Sequence, residues 1–176
     1  MIKLNLGFEP LALRKERRRL LPLAIAVFNG YGAGSEQLGD VIEEKKGYRV
    51  AKAKLRRLQH GKCAYCEKQE DAFKRPVEHF RPKKLAEDFV NQRWTGVNSH
   101  YWWLTWTWSN LYFSCGECNR NGRKGNRFPI RPNAVRATAP VAPLANPIPK
   151  ALMRMGAEQH LLVDPRRDNP LDHLQW

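Results

Sequence analysis

Two Cys-x-x-Cys pairs, Cys63/Cys66 and Cys115/Cys118, constrain this chain more than any other feature, and they account for all four of its cysteines. In a secreted chain such cysteines would form disulfides. Two close pairs set well apart along a chain are better suited to a tetrahedral zinc site. Four thiolates around one zinc would clamp two distant segments into a single unit. With every coordination position filled by cysteine, the zinc is expected to be structural rather than catalytic. Any catalysis must then come from other residues that the clamp brings together.

The chain of 176 residues is long enough for one domain with a real core. Its formal net charge of +14 favours a polyanionic partner, nucleic acid or an anionic membrane surface. Six tryptophans and seven phenylalanines argue against global disorder. Arg17-Arg18-Arg19 precedes an apolar run, residues 20–28, in the manner of a targeting segment. That run is too short to span a bilayer. It contains Pro22, and no small-x-small cleavage pattern follows before Ser35. A buried or amphipathic helix is the better reading, with the protein in the cytoplasm and no membrane partner.

The pattern predicts an α+β fold, mainly helical. Residues 11–28 read as a helix that Pro22 kinks or splits. Ser35 fits an N-cap before a second helix. Residues 48–60 read as an amphipathic helix ended by Gly61. Residues 76–80 read as a short strand, with Val77 and His79 on one face and Glu78 and Phe80 on the other. Residues 83–93 read as helical or irregular, and 96–99 as a turn. The aromatic block 101–108 reads as core packing in preference to base stacking. A short helix is expected over 116–124. Residues 129–149 carry six prolines and many alanines, as an extended arm would. The expected organisation is an N-terminal helical region (1–62), a zinc-stapled core (63–131), an arm or linker (132–157) and a C-terminal segment (158–176) that packs back or binds a partner.

Glu78, His79 and Asn119 supply the parts for phosphodiester hydrolysis. A histidine takes a proton from water near neutral pH. A carboxylate and an amide oxygen can hold a hard cation, magnesium or manganese, with positions left for water and phosphate. Asn119 directly follows the last zinc ligand, so the clamp would fix its direction. Asn121 and Asn126 are rival ligands. No acidic residue lies between Glu117 and Glu158, an interval that includes Arg120, Arg123, Lys124 and Arg127. Such a stretch beside a candidate site suits phosphate contact.

Cys-x-x-Cys, Glu-His-x-x-Pro-Lys, Asn-Leu, then Cys-x-x-Cys-Asn with a downstream Lys resembles the HNH nuclease superfamily and its ββα-metal fold. Residues 63–67 (Cys-Ala-Tyr-Cys-Glu), 77–83 (Val-Glu-His-Phe-Arg-Pro-Lys), 101–104 (Tyr-Trp-Trp-Leu), 108–111 (Trp-x-Asn-Leu), 114–119 (Ser-Cys-x-x-Cys-Asn) and 124–129 (Lys-Gly-Asn-Arg-Phe-Pro) are similar to one branch. That branch is the PtuB family of Septu-type anti-phage defence, also found beside some retrons. The resemblance covers residues 45–131, and 162–165 more loosely, but little of 1–40. It implies that His79 is the general base, and that Glu78 and Asn119 are ligands of a catalytic metal. Asn110 would orient the loop bearing the histidine. Arg81, Lys83 and Lys124 would face phosphate. Asn119 departs from the family pattern, in which histidine is commoner. The resemblance also implies a PtuA-like ATPase partner, since this chain has no Walker motif, and a nucleic-acid substrate, DNA before RNA. The competing reading is a non-catalytic zinc module that binds nucleic acid or protein.

Overall fold

An amphipathic stripe organises the N-terminal region. The computed structural model describes residues 3–44, 46–71, 77–97, 101–139 and 158–173. Helix α1 spans Leu11–Tyr31 and buries Leu13, Leu20, Leu21 and Ala24, which recur at helical spacing. It runs as one element through Pro22, which lies on its exposed side. Helix α2, Glu36–Glu44, starts at the expected cap: Ser35 Oγ accepts the Leu38 N–H at 3.3 Å, a bond worth about 1 kcal/mol.

The helix expected over 48–60 is divided. A 3₁₀ turn, Gly47–Ala51, precedes α3, Lys52–Leu58. The reason is a close crossing of α1. A Cβ on Gly47 would lie 2.5 Å from Glu16 Oε2 and 2.8 Å from Leu20 Cδ1. The chain leaves α3 through His60 and Gly61, both at positive φ (53° and 72°), which fits a glycine stop.

Strand β1, Val77–His79, pairs antiparallel with the later strand β4, Leu111–Phe113; Glu78 lies opposite Tyr112 and His79 opposite Leu111. Both faces of β1 are buried, so alternation does not divide it into a core side and a solvent side. Pro76 lies outside the described residues. The helical or irregular reading of 83–93 is overturned. Strands β2, Ala86–Val90, and β3, Arg93–Val97, form a hairpin. Asn91 and Gln92 both take positive φ (48° and 61°), the twist that a two-residue hairpin turn needs. Phe89 and Trp94 sit opposite each other, with ring centroids 5.1 Å apart. The turn expected at 96–99 is likewise displaced: Gly96 belongs to β3, and residues 98 and 99 are outside the described set.

The aromatic block is core. Tyr101, Trp102, Trp103, Trp106 and Trp108 are buried together with Phe80, Tyr112, Phe113 and Phe128. Phe28 of α1 meets Trp102 at 4.8 Å, which joins the helical layer to the strands. Gln59, just after α3, extends the join: its amide donates to Phe113 O at 2.8 Å and accepts Phe113 N–H at 2.8 Å.

Buried carboxylates fasten the C-terminal segment. Glu158 takes Arg81 Nε at 2.8 Å, the Tyr101 hydroxyl, and Ala137 N–H at 3.1 Å. Asp164 takes the Tyr112 hydroxyl and Arg166 N–H. Of the proline-rich stretch, the described part is largely exposed but is tied to the core at several points. Arg136 donates to the Tyr101 hydroxyl at 3.0 Å and to Asp88 Oδ2 at 2.9 Å, and Ile130 bridges to His160. Residues 140–157 lie outside the described set. Among the described residues, no helix is long and apolar enough to cross a membrane.

Burial, reinforced by Glu158 and Asp164, pushes the Tyr101 and Tyr112 hydroxyls above their ordinary range. The native state therefore keeps protons that the unfolded chain releases above about pH 10. Stability should be unaffected below that value and fall as pH rises through it. In urea titrations from pH 8 to 11, Tyr112→Phe should show a shallower alkaline fall than the parent chain. Equal slopes would show that this hydroxyl is not held protonated by folding.

Candidate functional site

The four cysteines converge from two loops. Lys62 bridges to Gln69, closing the loop that carries Cys63 and Cys66. Ala64 N–H donates to Phe113 O at 3.0 Å, which ties that loop to the end of β4. Cys115 then caps helix α4, Gly116–Asn119, and its Sγ accepts Cys118 N–H at 3.3 Å. All four Sγ atoms lie within 4.8 Å of one another, with Cys66 and Cys115 Sγ 3.7 Å apart. Metal–sulfur bonds of about 2.3 Å give tetrahedral edges of about 3.8 Å, so this thiol group can hold a metal such as zinc.

Helix α4 stops at Asn119, short of the expected 116–124. Arg120 is extended, and the chain turns back through Gly122 and Gly125, both at positive φ (82° and 41°). Lys124 N–H then donates to Cys118 O at 3.1 Å. The reversal carries the Lys124 ammonium under β1. Nζ lies 2.7 Å from Glu78 Oε1 and donates to His79 O at 2.6 Å. Lys124 was expected to face phosphate. It is an internal cation instead, because the buried Glu78 carboxylate demands a partner.

A cleft of about 210 Å³ opens beside this pair. Glu78, His79, Lys83, Asn119, Asn121 and Asn126 line it. His79 is buried, and its Nε2 lies 3.0 Å from Thr105 O. A carbonyl only accepts, so Nε2 carries the hydrogen and Nδ1 keeps its lone pair. The Tyr48 ring stands edge-on to the imidazole at 4.7 Å. Burial first, then the charge of Lys83, lowers the His79 pKa to about 3, against the Thr105 carbonyl that raises it. The ring is therefore neutral at neutral pH. Burial also pushes the Glu78 carboxyl up from its ordinary range, and Lys124 works against that rise. Lys83 is held at the cleft edge by Glu43 of α2, which also takes Lys84 at 3.3 Å.

The other expected site residues lie elsewhere. Asn110 stands behind the cleft. Its Oδ1 accepts Arg81 N–H at 2.8 Å, its Nδ2 donates to Arg81 O at 3.1 Å, and its own carbonyl accepts Phe80 N–H at 3.0 Å. It thus fixes the backbone that leaves His79. Arg81, expected at phosphate, is buried against Glu158 and stacked near Phe128 at 5.1 Å. Arg120 pairs with Glu117 at 3.0 Å. Arg123 and Arg127 border a second concavity, away from the cleft. Sequence reasoning missed Tyr48, Glu43 and the Thr105 carbonyl. The last is a backbone group without a residue signature, and Tyr48 reads as the start of a helix.

A stretch of 125 residues is 35% identical to the Septu protein PtuB of Bacillus mycoides (strain KBAB4), covering 69% of this chain and 37% of that protein. A stretch of 122 residues is 27% identical to the Septu protein PtuA of the same strain, covering 69% of this chain and 15% of that protein. The chain thus spans well under half the length of either relative. No family model matches the chain. No solved structure matches it.

Two outcomes follow from the site's construction. Removing metal from the thiol group with a strong zinc chelator should lower the melting temperature and expose all four thiols to a thiol reagent. An unchanged melting temperature would show that the thiols need no metal. Lys124→Met should destabilise the fold by about 3–5 kcal/mol in urea unfolding, because it leaves Glu78 buried and unpaired. The double variant with Glu78→Gln should recover most of that loss. Additive losses in the double variant would show that the two side chains are not coupled.

Proposed function

We propose that the chain is a metal-dependent nuclease of the HNH type, hydrolysing phosphodiester bonds as the effector of a Septu-like anti-phage defence system. The observation that carries the reading is the state of His79. It is a neutral imidazole with Nε2–H committed to Thr105 O, in a cleft shared with a carboxylate, an amide and a lysine. The antiparallel β1–β4 pair followed directly by α4 is the strand-strand-helix order expected of an HNH core. Similarity to PtuB supports the defence role. The thiol group serves as a structural zinc site.

Nδ1 of His79 takes a proton from water, and the resulting hydroxide attacks phosphorus as the bond to the leaving oxygen breaks. Lys83 exchanges Glu43 for the substrate's phosphate. Asn110 keeps the His79 loop from drifting during proton transfer. The chemistry of the donor set fits a hard cation in one respect: a carboxylate, Glu78, and an amide, Asn119, line the same cleft, although the Lys124 ammonium stands 2.7 Å from Glu78 Oε1. Glu78 and Asn119 would hold magnesium or manganese, which would supply positive charge at the scissile phosphate and leaving oxygen. DNA is the favoured substrate, with a structured RNA such as tRNA as the rival. The implied partner is a PtuA-like ATPase. A second reading, a zinc module that binds nucleic acid without cutting it, is favoured by one observation: Lys124 already neutralises Glu78.

His79→Ala should lower the melting temperature, because it removes a buried ring and leaves Thr105 O unbonded, yet stay folded and lose at least about 100-fold in cleavage of phage DNA or tRNA, the scale of a general base. Undiminished cleavage would remove His79 from the mechanism. A parent chain that binds but never cuts, with any divalent ion and with the partner present, would favour the second reading.

A further inference from the structure

The 118–127 segment has two sides. Asn119, Asn121 and Asn126 line the cleft with His79, whereas Arg123, Lys124 and Arg127 line a larger groove of about 750 Å³. Such a volume lies within the range of about 300–1,000 Å³ typical of ligand sites. Trp94 of β3, Leu161, Leu162 and Val163 line it, and Cys66, Cys115 and Cys118 place it directly beside the thiol group. The groove is apolar within and cationic at its rim, where Lys68, Arg123 and Arg127 stand. Glu117 is the one acid lining it among the described residues, and it pairs with Arg120.

Three side chains of this lining are only partly used by the fold. The Arg127 guanidinium lies 4.3 Å over the Trp94 ring, yet it donates to no acceptor among the described residues. The exposed Arg123 side chain likewise has no acceptor there. Trp94 as a residue remains 37% exposed. A cation stacked on an indole beside aliphatic walls matches a nucleotide: a flat apolar base for the walls, and an anionic phosphate for the free guanidiniums. An acidic protein would match the rim but leave the apolar interior unfilled. A base stacked and paired within a continuous duplex cannot enter a lateral groove.

We propose that this groove binds an unpaired nucleotide next to the scissile phosphate, its base against Trp94 and Leu161–Val163 and its phosphate on Arg123 and Arg127. The inference rests on the nuclease reading above and deepens it. The chain would then prefer single-stranded segments to continuous duplex.

The test measures fluorescence anisotropy of one labelled sequence in three forms: single-stranded DNA, single-stranded RNA and duplex DNA. The full zinc-loaded chain is used without magnesium or manganese, so that binding is read apart from cleavage. Trp94→Ala should weaken both single strands about tenfold, the scale of one base–aromatic stack, and change duplex affinity by less than about twofold. Trp94→Phe should restore most of the loss. Arg127→Gln keeps the indole in place; it should weaken single-strand binding and flatten its salt dependence by about one phosphate contact. Unchanged single-strand affinity in both variants, or equal losses on single strand and duplex, would overturn the groove assignment while leaving the nuclease reading intact. A parent chain that binds none of the three would overturn both.

Discussion

The convergence of four thiols is the constraint on which the rest of the arrangement depends. Cys63 and Cys66 sit in a loop bonded to Phe113, at the end of β4, and Cys115 and Cys118 belong to the turn that follows. Holding the two together sets the position of α4 against the β1–β4 pair. It thereby sets Asn119 against Glu78 and His79. Thiols this close carry a cost in any ionised state, since each thiolate raises the energy of the next. A bound cation removes that cost and turns repulsion into a clamp. The same logic explains why so short a helix suffices: α4, a single turn, does not need its own hydrophobic face if its cap, Cys115, and its third residue, Cys118, are fixed through sulfur.

Behind the cleft, order comes from buried polar groups that satisfy one another rather than from sheet area. The β1–β4 pair is only three residues long on each side. Its register is reinforced by Gln59 on Phe113 and by Asn110 on Arg81. Each of these side chains supplies both a donor and an acceptor to one backbone unit, as a neighbouring strand would. Glu158 and Asp164 do the equivalent for tyrosine hydroxyls, and so bring the C-terminal segment against the aromatic core. Truncating any of these groups would leave buried partners unsatisfied, at a cost larger than the bond itself contributes. This part of the fold therefore tolerates little local variation.

What the sequence made legible is what local chemistry and spacing encode. The cysteine pairs, the Ser35 cap, the Gly61 stop and the burial of the aromatic block all follow from residue type and position. So does the shared cleft of Glu78, His79 and Asn119, because two of the three adjoin elements that the cysteines position. The hairpin at 86–97 was not legible. Its turn uses Asn91-Gln92 without glycine, and the adjacent acids Glu87 and Asp88 mask the alternation of its first strand. The early end of α4 was also hidden, since it results from the tertiary attraction of Lys124 to Glu78. The role of Thr105 could not be read at all, because the atom that matters is a carbonyl.

Arg81 and Lys124 carry a more general point about a chain with a net charge of +14. Both belong to the excess of cations, and both lie next to the residues that suggest nuclease chemistry. Yet both are internal, each neutralised by one buried carboxylate, Glu158 or Glu78. A cation of this kind adds little to the field felt by an approaching polyanion, because its carboxylate cancels it at short range. Any such attraction would have to come from cations that lack such a partner. Lys83 is half committed, to Glu43. Arg123 and Arg127 have no carboxylate among the described residues, and they stand on the far side of the 118–127 segment from His79. In the proposed reading, the cations free to meet a strand and the groups that would cut it therefore line two different concavities.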